Sequence, residues 1–104
     1  MSTPALVRDD ATGRFRLVGP VNLHTVARLA TLPAELAGPE CEIDLSGVEG
    51  ADSSTLALLL LWQRHALRRG CRLRFTGFPA RLRSLIDLYD LREILLDGAL
   101  AAAH

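Results

Sequence analysis

The run Ile43-Asp44-Leu45-Ser46-Gly47-Val48-Glu49-Gly50-Ala51-Asp52-Ser53-Ser54-Thr55-Leu56-Ala57-Leu58-Leu59-Leu60 changes its period in the middle. From Cys41 to Leu45, apolar and polar residues alternate, the two-residue period of a strand with one buried face, and the pattern stops at Ser46-Gly47. Asp52, Ser53 and Ser54 then supply side-chain oxygens able to cap a helix, and from there to Gly70 the chain holds neither Gly nor Pro. A strand, a tight turn and a long helix follow one another within some thirty residues, the signature of an α/β domain.

Outward from this unit the same logic holds. Arg14-Phe15-Arg16-Leu17-Val18 alternates between the turn residues Thr12-Gly13 and Gly19-Pro20, and Ala5-Leu6-Val7 is expected to pair with it as a hairpin arm. Val26, Leu29, Ala30 and Leu32 recur at helical spacing and predict a first helix that starts near Leu23 and ends before Gly38-Pro39. Arg72-Leu73-Arg74-Phe75 reads as a strand, and Leu82, Leu85, Ile86 and Tyr89 mark one face of a further helix after the turn at Gly77 to Pro79. Leu91 to Leu96 fits a short strand or a last helix. Residues 1–98 are read as one domain and 99–104 as a tail.

A chain of 104 residues with 49% hydrophobic and 23% charged side chains has the composition of one self-folding globular unit, not of a disordered segment. Its longest apolar run, Leu56 to Trp62, is too short to span a bilayer, and the N-terminus lacks a signal-peptide pattern, so a soluble cytoplasmic location is expected. In that setting Cys41 and Cys71 are expected to be reduced core thiols. The formal net charge of zero argues against a nucleic-acid binder. The charges are unevenly spread, however: no acidic residue lies between Asp52 and Asp87, an interval that holds Arg64, Arg68, Arg69, Arg72, Arg74, Arg81 and Arg83.

Catalytic patterns are missing from the sequence. His24, His65, His104 and the two cysteines have none of the close spacings that preset a zinc shell, and no glycine-rich phosphate loop or nucleophile elbow is found. The expectation is a protein that is not an enzyme and carries no metal or other cofactor.

The segment Ile43 to Leu60, a strand ending in Asp44-Leu45-Ser46-x-Val48 followed by an Asp52-Ser53-Ser54 helix start, resembles the signature of STAS domains. Leu17 to Val26 is similar to the family's first strand-to-helix turn, and Leu85 to Leu91 resembles its C-terminal helix. The resemblance implies a small mixed β-sheet with helices packed mainly on one face. It also implies a module that binds another protein. In the MlaB-like branch, which the leucine-rich continuation after Thr55 resembles more, the partner is the ATPase subunit of a phospholipid-transport ABC system that maintains outer-membrane lipid asymmetry, met at the inner-membrane face. In the alternative branch, the anti-sigma factor antagonists, a partner kinase phosphorylates a serine of the turn. Two positions depart from the family pattern: Thr55 stands where Gly is usual, and Asn22 where Asp is usual.

On this reading Asp52, Ser53, Ser54 and Thr55 form the phosphorylation or docking turn, and Ser53 and Ser54 remain alternatives for the modified hydroxyl. Asn22 and His24 belong to the neighbouring turn. On the helix itself, Leu56, Leu59, Leu60, Ala66 and Leu67, with Gln63 an exception, are read as one face and Leu58, Leu61, Trp62 and His65 as the other, so the helix is expected to be apolar on both sides near its start. Either another element covers the side that carries Trp62 or a partner docks there, and docking is the expectation, with Arg68 and Arg69 as a charged rim.

Overall fold

The computed structural model describes residues 3–9, 11, 14–31, 34, 36 and 38–96. Strands β1 (Ala5–Arg8), β2 (Phe15–Pro20), β3 (Glu40–Glu49) and β4 (Arg72–Thr76) form one sheet in sequence order, with α1 (Ser53–Arg68) before β4 and α2 (Ala80–Leu88) after it. The β1–β2 pair is the antiparallel hairpin that the alternation predicts, with Leu6 opposite Leu17, whereas β2–β3 and β3–β4 are parallel. The sheet is therefore mixed, as the resemblance implies.

Alternation decides which face is buried. Phe15 and Leu17 of β2, Ile43 and Leu45 of β3, and Leu73 and Phe75 of β4 all enter one core with the helices. Their neighbours build the opposite face, where Arg14 meets Glu42 at 3.1 Å, Arg16 meets Asp44 at 3.8 Å and Arg72 meets Glu40 at 3.9 Å. These pairs are largely exposed and add little stability each, but they keep that face wet and charged.

One irregularity steers the chain toward the site. Between Arg16↔Asp44 and Val18↔Gly47, β3 spends three residues where β2 spends two, so β3 carries a bulge. The bulge rephases the strand: after Ile43 and Leu45 the next buried residue is Val48, not residue 47. Gly47 is required there because a Cβ would lie 2.7 Å from Val18 Cγ1.

The segment after Asn22 differs from the helix expected of it. It makes a single 3-10 turn, Val26–Leu29. The Thr25 hydroxyl donates to the carbonyl of Pro20 at 2.8 Å, and the carbonyl of Leu29, needed to extend a helix, instead accepts the indole N–H of Trp62 at 2.7 Å. Pro33 follows closely. Leu32 of the expected helix lies outside the described residues. Leu91 to Leu96, open between strand and helix in the sequence, closes the chain with a π-helical turn, Arg92–Leu96, whose Ile94 carbonyl accepts from Gln63 Nε2 at 3.2 Å. The expected tail 99–104 lies outside the described residues. No helix among the described residues is long and apolar enough to cross a membrane.

Cys41 and Cys71 are both thiols. Cys71 is buried at the start of β4, and burial together with a hydrogen bond to Cys41 pushes its thiol up to about 12, which keeps it protonated and unreactive.

Candidate functional site

The end of β2 and the start of α1 are built as one rigid unit. Asp52 is the N-cap of α1, extended in backbone, and its carboxylate accepts the N–H of Ser54 at 2.9 Å and the Ser54 hydroxyl. Its second oxygen accepts the N–H of Leu23 at 3.0 Å, from the far turn. Thr55 closes a capping box, its Oγ1 accepting the Asp52 N–H at 3.1 Å while donating to the carbonyl of Val21 at 2.5 Å. Asn22 orders the facing turn by accepting the N–H of His24 at 2.9 Å through Oδ1. Gly50, at a φ of +59°, makes the reversal that brings Asp52 to this position. From α2, Arg81 Nε donates to the carbonyl of Ala51 at 2.7 Å and pins the turn from its other side.

Burial pushes the Asp52 carboxyl up, but the hydrogen bonds from the Ser54 hydroxyl and from the N–H groups of Leu23, Ser54 and Thr55 outweigh it and hold the group below the ordinary aspartate value. A carboxyl held lower in the folded than in the unfolded chain adds stability above the unfolded-state pKa and loses it as pH falls through the folded-state value. Stability is therefore expected to drop below about pH 4. Asp52→Asn, which can still cap the helix, should flatten the loss. Urea unfolding of both proteins between about pH 7 and about pH 3 tests this, and equal losses in the two would remove Asp52 from the acid response.

The structure brings Asn22, His24, Asp52, Ser53 and Ser54 to one edge of the molecule. Ser53 is exposed and its hydroxyl has no hydrogen bond among the described residues, whereas Ser54 is half-buried and held by Asp52. Three expectations are corrected. Thr55 is fully buried and offers no side chain to a partner. Trp62 is fully buried and Leu58 nearly so, because the 3-10 turn covers their side of α1. Of the helix residues expected to face outward, Leu61 is exposed and His65 is half-buried.

What α1 does leave open is an apolar groove of about 230 Å³ between it and the 3-10 turn, lined by Val26, Ala27, Ala30, Ala57, Leu58 and Leu61 and bounded by Ser54 at one end. Leu23 stands on the adjoining turn as an exposed side chain. The alanines were invisible as site residues because their composition suits any helix. Their one signal is the spacing of Ala27 and Ala30, small residues three apart that let two helical elements leave a slot rather than fill it.

The fold and this edge define a small α/β domain that presents a capped helix start beside an apolar slot. A protein-family model described as "Mlab, STAS domain" matches residues 5–97, and the chain belongs to this MlaB-like STAS domain family. Among curated proteins, none matches the chain. Membership carries a role in protein interaction.

Proposed function

We propose that this chain is a non-catalytic subunit that docks on the ATPase of an Mla-type phospholipid-transport ABC system and regulates it from the inner-membrane face. The observation that supports this reading is the groove beside the Asp52–Ser54 turn, apolar, open, and framed by hydrogen bonds that need no rearrangement before a partner arrives. A docking turn benefits from such rigidity.

Leu61→Asp places a charge on the exposed lip of the groove. It should change stability by no more than about 0.5 kcal/mol. It should weaken binding to the purified ATPase subunit by about 2 kcal/mol, roughly thirtyfold in Kd. Calorimetry beside a thermal melt reads both. No heat of binding with the unaltered chain would sink the transporter reading.

A second reading, the anti-sigma factor antagonist, draws on Ser53, whose exposed hydroxyl sits at the positive end of α1, where a phosphate would be received. The Ser54 hydroxyl is the poorer acceptor, since it donates to Asp52 and a phosphate there would face that carboxylate. Mass spectrometry of the chain purified from its own cells separates the readings: a phosphate on Ser53 favours the antagonist.

A further inference from the structure

The groove continues into a charged stripe. Along α1, Arg64 stands two turns beyond Ala57 and Arg68 two turns beyond Leu61, so the four share one outward line, and all four are exposed. Arg64 and Arg68 have no ion pair or hydrogen bond among the described residues. No acidic residue occurs in α1 or in the 3-10 turn that forms the other wall. Arg68 lies in the last turn of α1, where it also complements the helix dipole, but Arg64 precedes that turn and has no such role. At the opposite end of the groove stands Ser54, whose hydroxyl donates to Asp52. The slot is thus apolar along its length, with two arginines on the same line of α1 beyond one end.

We propose that its occupant is an amphipathic helix of the docking partner, seated with apolar side chains in the groove and acidic residues over Arg64 and Arg68. The proposal rests on the docking reading above and adds the chemistry and polarity of what docks. The walls favour a helix. They offer side chains of Val, Ala and Leu and almost no hydrogen-bonding groups, so a segment lying there must satisfy its own backbone, as a helix does and an extended strand does not. The distance from Ala57 to Arg68 is roughly 17 Å at helical rise, which about twelve residues of a partner helix would cover. A second copy of this chain fits poorly, because its own stripe has no acid to set against the arginines.

The test uses the isotope-labelled full chain and three probes followed by NMR. The first is a synthetic peptide of about fourteen residues with leucines three and four apart and glutamates in one end turn, the second is the same peptide with lysines for the glutamates, and the third is vesicles containing phosphatidylserine. The acidic peptide should shift the amides of Ala27, Ala57, Leu61 and Arg64 and lose affinity with added salt, while the lysine peptide should bind at least about tenfold more weakly. The exposed double variant Arg64→Glu/Arg68→Glu, checked by its melt, should reverse that order. Equal binding of the two peptides, shifts elsewhere, no shift with the acidic peptide, or response to the vesicles alone would overturn the proposal. Peptide binding without ATPase binding would instead remove the transporter reading and leave the acidic helix standing, whereas ATPase binding that the acidic peptide fails to displace would remove the helix and leave the transporter.

Discussion

Trp62→Ala is expected to lower the unfolding free energy by about 3–5 kcal/mol, a large share of the 5–15 kcal/mol typical of a small domain. The indole is fully buried, so its removal opens a cavity among Leu58, Leu59 and the sheet. It also deletes the hydrogen bond from α1 to the Leu29 carbonyl, which ties the 3-10 turn to the helix. The wall of the groove should loosen along with the core. Trp62→Phe separates the two contributions, since it keeps most of the volume and loses the hydrogen bond, at about 1–3 kcal/mol. Chemical unfolding of both variants measures the difference. A Trp62→Ala protein that melts like the unaltered chain would return this residue to the surface.

Thr55→Val should cost about 2 kcal/mol although it changes no volume. The hydroxyl is buried, gives its proton to the Val21 carbonyl and takes the Asp52 N–H, so valine leaves both partners without a replacement in a place water does not reach. Thr55→Ser should recover most of the loss, and thermal melts of the pair provide the check. Thr55→Gly, which would restore the residue usual in the family at this position, should destabilise this chain by a similar amount or more, because flexibility is added where the capping box is lost. The threonine is a structural latch, buried beneath the turn.

The strands and both α-helices could be read from periodicity because each buries one face of a regular pattern, from Phe15 and Leu17 to Leu82 and Ile86. The Asp52 cap could be read because it is local, standing at the head of the run without Gly or Pro, whereas the Thr55 half of the capping box was not read. Trp62 was set on the wrong side because it lies three residues from Leu59 and four from Ala66, which on a helix is the same face, and a wheel is also blind to what covers that face. The cover is four residues of 3-10 turn, too short to carry a period of its own. The ties from Asp52 to Leu23 and from Thr55 to Val21 join residues about thirty positions apart and leave no trace in local pattern. The β3 bulge hid in the same way, since Ser46-Gly47 read as the end of a strand that in fact runs on to Glu49.

The laddered Arg/Glu and Arg/Asp pairs on the helix-free side of the sheet bear on how any assembly containing this domain can grow. That side carries charge along its strands and disfavours dry packing. A partner seated against the helix side would leave these pairs in water, where added salt screens them.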